Sequence, residues 1–248
     1  AELNSNENYL FSDGSNINEI NRYQLGTTSA TADVISNSGL TGSCTAFKVS
    51  PFSSTTLFVG TSNGKLFRVT NSTGVSPTFT EITGNSFIGS ISSIAFGATE
   101  NDILVTFHNY GVTSVFYSSN AGGNWQNKEG NLPDLPVKAV MVNPLNPNEV
   151  ILGTELGVWG TPNFNDANPS WSRAQNGMKD AKVMSFDLRT ADNTILAATH
   201  GRGLFTGQFT ADDSTLSSKD NTLNNLVKVY PTVSNGNFKI SGSAQIRE

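Results

Sequence analysis

The chain has 248 residues, only 14% of them charged, and a net charge of −5. Its 15 Lys and Arg are scattered and form no basic stripe to neutralise phosphates, which excludes a nucleic-acid-binding class. No apolar run approaches the ~18 residues of a membrane-spanning helix, and the Ser-, Thr-, Asn- and Gly-rich polar complement favours turns and strands over helices.

The N-terminal AELNSNENYLF lacks the basic and apolar regions of a signal peptide and reads as a mature or truncated start. YLFSDGSNINEI at 9–20 is the first, weak copy of a repeat, without an obvious strand ahead of it. Four stronger copies follow: TLFVGTSNGKLF (56–67), ILVTFHNYGVTSVF (103–116), VILGTELGVWG (150–160) and ILAATHGRGLF (195–205). Thr61, Phe107, Thr154 and Thr199 align at spacings of 46, 47 and 45 residues, and Ser12 falls in register 49 residues before Thr61. Each strong copy is preceded by an alternating or β-branched run: CTAFKVS, SISSIAFG, VKAVMVNP and KVMSFDLR. Three to four short strands per repeat of about 46 residues predict the blades of a propeller, strands A to D from the axis outward. The expected fold class is all-β: an incomplete β-propeller of four to five blades over residues 1–209. The last copy stops after its third strand, TGQF at 206–209, so these copies are not expected to close a ring without preceding blades. Cys44, the single cysteine, reads as a small buried hydrophobe.

SSNAGGNW at 118–125 resembles the Asp-box, S-x-D-x-G-x-x-W, with Asn120 in place of the usual Asp. Ser118, Asn120, Gly122 and Trp125 then have structural roles: a capped tight turn, a positive φ and an indole packed between blades. NFNDANPSW, ending at Trp171, is similar with an insertion, and the B–C units resemble those of sortilin-like, sialidase-like and xyloglucanase-type propellers. That resemblance implies a fold shared by enzymes, receptors and assembly factors, and fixes no activity. Residues 210–225 read as a polar linker. LVKVYPTVSNGNFKISG, at 226–242, resembles the opening of the C-terminal sorting domain of the type IX secretion system through Val229, Tyr230, Pro231 and Gly236. Thr232 and Val233 depart from that family's usual Asn-Pro. The resemblance implies the first strands of a β-sandwich over 226–248, export from a Bacteroidota-type cell by the translocon and its shuttle components, and a secreted or cell-surface location.

The first residue of each B–C turn is Asp13, Ser62, His108, Glu155 or His200, so both histidines of the chain share one repeat position. With Tyr110 and Arg202, the residues Asp13, His108, Glu155 and His200 form a candidate binding face on one end of the propeller. The alternative is that each only caps its own turn. Tyr110, Trp159 and Phe164 either stack on sugar rings or pack between blades. No paired-carboxylate constellation of a glycosidase, arginine cluster of a sialidase or calcium-loop spacing stands out, and no catalytic residue, metal ligand or cofactor is expected. The expected role is a non-catalytic glycan- or protein-binding module. The alternative is a glycosidase-like enzyme with its acids mainly in blades outside this sequence.

Overall fold

A computed structural model describes residues 1–174, 177–178 and 180–210, and the backbone of 227–230 and 239–242. The chain is all-β among these residues and builds its sheets strictly in sequence order. The first comprises β1 (Glu2–Asn4), β2 (Tyr9–Asp13), β3 (Glu19–Leu25) and β4 (Ala30–Ser36). The second comprises β5 (Cys44–Ser50), β6 (Ser53–Thr61), β7 (Leu66–Thr70) and β8 (Thr78–Glu81). The third runs through β9 (Ile91–Phe96), β10 (Ile103–Phe107), β11 (Val115–Ser118) and β12 (Gln126–Asn127). The fourth is β13 (Val137–Val142), β14 (Val150–Thr154), β15 (Gly157–Thr161) and β16 (Ser172–Arg173). The fifth has three strands, β17 (Val183–Arg189), β18 (Thr194–Thr199) and β19 (Gly203–Gln208). All pairs are antiparallel, and each innermost strand packs against the next, as blades do in an incomplete propeller.

The aligned residues Thr61, Phe107, Thr154 and Thr199 each end a B strand, so the repeat register read from the sequence matches the strand ends. The threonines close their own turns: Thr61, Thr154 and Thr199 hydroxyls donate to the carbonyls of Lys65 (3.1 Å), Gly157 (2.9 Å) and Gly203 (2.6 Å). The first copy differs from expectation in having an innermost strand, β1. With three residues, ELN, it is too short to show alternation in sequence.

Blade-to-blade packing rests on the residue before the aligned threonine. A Cβ on Gly60 would lie 2.7 Å from Ile91 Cβ, and one on Gly153 would lie 2.7 Å from Val183 Cγ1. Ile91 and Val183 open the A strands of the following blades and are fully buried. The missing side chain lets a β-branched residue of one blade seat against the B strand of its neighbour.

Indoles tie the blades farther from the axis. Trp125 donates to the carbonyl of Ile82 (2.9 Å), and Trp171 donates to that of Lys128 (3.0 Å), both 43 residues upstream. Trp125 packs on Phe87 at 4.8 Å, in a cluster shared by the second and third blades. The turn before it is held by Asn120 Oδ1, which accepts from Asn124 N (2.8 Å), and by Ser118 Oγ, which accepts from Gly122 N (2.9 Å); Gly122 has φ +90°. Thr161 and Asn163 repeat the arrangement ahead of Trp171, with Asn163 Oδ1 accepting from Ser170 N at 2.9 Å. Trp159 and Phe164, considered above for sugar stacking, are buried in the contact between the third and fourth blades. Lys128 is buried there too; its ammonium donates to Asp166 O (2.7 Å) and lies over the Tyr117 and Phe164 rings.

Beyond the blades, β20 (Val227–Tyr230) and β21 (Lys239–Gly242) form an antiparallel pair in which Val229 faces Ile240. Pro231, Gly236 and the expected linker up to residue 225 lie outside the described residues, apart from Thr210.

Gly60→Ala should destabilise the chain by about 1–3 kcal/mol, because Ile91 is branched at the clashing atom and cannot swing aside. Gly207→Ala, whose Cβ would sit 3.9 Å from Ile195 Cδ1, should leave the midpoint nearly unchanged. Urea unfolding of the two variants checks the pair.

Candidate functional site

Four of the five innermost strands, β5, β9, β13 and β17, share an irregularity that places the site. In each, one residue has no partner on the B strand: Thr45 between Cys44 and Ala46, Ser92 between Ile91 and Ser93, Lys138 between Val137 and Ala139, and Met184 between Val183 and Ser185. These are β-bulges at one repeat position, and a bulge re-aims the extra side chain. All four extra residues line one open depression of about 240 Å³ at the axis, with Ser90, Ile91 and His108 completing the lining.

Two of the four are occupied with structure. The Thr45 hydroxyl donates to Ile91 O (2.6 Å) and the Ser92 hydroxyl donates to Val137 O (2.5 Å), so each fastens its blade to the next. Lys138 breaks this pattern. Its ammonium hydrogen-bonds His108 Nε2 and lies 3.5 Å from Glu155 Oε1, while Lys182 Nζ lies 2.8 Å from Glu155 Oε2. His108 Nε2 stands 3.9 Å from the same carboxylate.

The backbone brings these groups together by a repeated hydrogen bond. Ser62, His108, Glu155 and His200 each donate their N–H to the residues just ahead of the inner strands, Ser43, Ser90, Pro136 and Lys182. Glu155 is thereby held beside the inner strands of its own blade and the next, and the lysines converge on it. Burial works against its charge, but the hydrogen bond from Lys182 and the charges of Lys138 and Lys182 prevail, keeping the carboxyl below its ordinary range. Burial, and then the nearby Lys138 charge, push His108 below its usual value despite Glu155. Burial likewise lowers Lys138, against the pull of Glu155. With His108 neutral the cluster carries two cations and one anion, leaving net positive charge beside the depression.

Of the residues expected on this face, the structure brings His108 and Glu155 together. Asp13 is engaged elsewhere, its carboxylate accepting from Cys44 N at 2.7 Å. Tyr110, His200 and Arg202 are exposed at the same end of the propeller, where His200 meets the cluster through its N–H, which donates to the Lys182 carbonyl at 2.8 Å. Sequence reasoning missed Lys138 and Lys182. The available signal was the repeat column Thr45, Ser92, Lys138, Met184, where a cation replaces a hydroxyl. Cys44 is buried, and its thiol is pushed up to about 12 by burial and by Asp13, so it is no nucleophile. Among the described residues no group of three or more His, Cys, Asp and Glu could hold a metal ion, and no helix is long and apolar enough to cross a membrane.

An unfolded histidine titrates near 6.5 whereas folded His108 titrates lower, so the unfolded chain binds the extra proton first. The contribution of His108 should be complete above about pH 6.5 and shrink as the pH falls towards its folded value. Unfolding midpoints measured from pH 7.5 to 5 should show this loss, and His108→Gln should flatten it.

No family model and no curated relative matches the sequence. Solved structures do. A xyloglucanase of Xanthomonas campestris aligns at TM-score 0.56 and 15% identity, over 80% of this chain and 34% of that one. A chain of a mitotic checkpoint complex aligns at 0.59 and 11%, over 85% and 60%, and the computationally designed Ika8 protein at 0.50 and 14%, over 79% and 57%. The chain thus spans less than two thirds of the length of each of these three. What it shares with them is the propeller-like fold.

Proposed function

We propose that this chain is a non-catalytic interaction module: a propeller that binds a glycan or protein partner on the end formed by its B–C turns, in a protein exported to the cell surface or beyond. The observation that carries the reading is the axial depression, where four bulged residues and the His108–Lys138–Glu155–Lys182 cluster meet at one mouth. A rigid scaffold offering a few polar groups in a concavity is suited to recognition. Glu155 is poorly suited to general-acid work, because two lysines hold it ionised.

The Asp-box reading of Ser118, Asn120, Gly122 and Trp125 assigns those residues to the scaffold, in keeping with their turn and indole bonds. The type IX sorting reading rests on the sequence around Val229 and Tyr230. The pairing of β20 with β21 is compatible with a domain that opens on a hairpin. On that reading the secretion translocon and its shuttle components are partners in export.

Offered polysaccharides and peptides, the protein should bind without releasing reducing ends, and His108→Ala, which strips a polar group from the wall of the depression, should weaken that binding. Release of reducing ends would make it a glycosidase instead. In a producing cell, replacing Tyr230 and Pro231 with alanine should leave folded protein in the periplasm; undiminished export would remove the sorting assignment.

A further inference from the structure

The end of the propeller that carries the depression combines two features. Its centre is cationic in a chain of net charge −5: Lys138 and Lys182 face the single carboxylate of Glu155. The same end exposes apolar side chains. Ile88, on the loop into β9, and Leu156, on the β14–β15 turn, are exposed, as are Met184 at the fifth-blade bulge and Leu204 at the start of β19. Tyr110 is the exposed aromatic of this end, at 63%, whereas Trp159, Phe164 and Trp171 are buried between blades.

That composition discriminates between ligand classes. Sugar rings are gripped by flat aromatic faces, and this end offers one tyrosine. Exposed aliphatic side chains at the same end as a charged centre instead match a peptide whose apolar residues cover them. A positive centre on an acidic molecule also steers acidic partners to this spot and repels them from the rest of the surface.

Lys138 is the cation at this repeat position. At the equivalent bulges Thr45 and Ser92 fasten one blade to the next through a hydroxyl. Lys138 has no hydroxyl; it lines the depression, and its ammonium, which has three N–H donors, is bonded to His108 and paired with Glu155. Resting on the interaction-module reading above, we infer that the axial depression receives a carboxylate side chain of an acidic, partly apolar peptide segment of a protein partner, with Lys138 as its charged contact. Met184 and Ile91 supply the apolar wall beside that carboxylate, and His108 the neighbouring polar one.

The test uses fluorescence anisotropy of a fluorescein-labelled peptide alternating glutamate and leucine, titrated with the full chain. Three probes accompany it: the same peptide with glutamine for glutamate, a labelled oligogalacturonate and a labelled neutral glucan. Lys138→Thr removes the cation and supplies the hydroxyl found at the other bulges, so it should keep or raise the melting temperature; Lys138→Arg keeps the charge. We expect the glutamate peptide to bind, the glutamine peptide and the Lys138→Thr variant to lose at least tenfold, and Lys138→Arg to retain most of the affinity. Binding also takes up a proton at His108, because an anion in the depression offsets the lysine charge beside it, so affinity should rise between pH 7.5 and 6. Equal binding of the glutamate and glutamine peptides, or undiminished binding by Lys138→Thr, overturns the carboxylate contact. Preference for oligogalacturonate or glucan overturns the peptide assignment and leaves the interaction-module reading standing; failure of every probe to bind counts against both.

Discussion

Everything in this molecule depends on how closely one four-stranded sheet can approach the next. An isolated blade buries only one face well, and a sheet of short strands is marginal without a neighbour. The chain meets the requirement at two levels. Near the axis, Gly60 and Gly153 admit the branched side chains of Ile91 and Val183, and the bulge hydroxyls of Thr45 and Ser92 reach across to backbone carbonyls. Farther out, the Trp125 and Trp171 indoles fasten onto the preceding blade. The bulge hydroxyls and the Trp125 and Trp171 indoles are bonded in these contacts, whereas the buried Trp159 N–H between the third and fourth blades has no partner.

The site is a by-product of that same constraint. A bulge in each of the inner strands β5, β9, β13 and β17 is what turns one residue towards the axis, and these four residues line the depression. Where the residue is Thr or Ser it completes the scaffold. Where it is Lys138 the scaffold does without the hydroxyl, and charge accumulates at the mouth. On the proposed reading, structure and recognition compete for one repeat position, and the fourth blade is where recognition takes it.

The repeat register was legible because the threonine ending each B strand has a fixed physical task, closing the B–C turn through its hydroxyl; Thr61, Thr154 and Thr199 announce it. The Asn120 turn was legible for a similar reason, since side-chain caps demand particular residues at particular offsets. Strand β1 escaped notice because three residues carry no periodicity. The lysines escaped because a bulge leaves no mark on alternation: Lys138 sits in a run, VKAVMV, that reads as an ordinary inner strand. His108 and Glu155 were visible as one column of the repeat, yet their meeting depends on the lysines between them. Asp13 belonged to that column too, but it is drawn off by the Cys44 amide.

The backward reach of the indoles has a mechanical consequence. Trp125 and Trp171 each bond a carbonyl 43 residues upstream, so the outer parts of the second and third blades are latched by the blades that follow them. Contacts of this kind are strictly nearest-neighbour, as in any stacked array. A tension drawing the chain out from its C-terminal side would therefore meet these latches one at a time, first that of Trp171 and then that of Trp125. The array then yields in steps, the earlier blades staying closed until the later ones have let go.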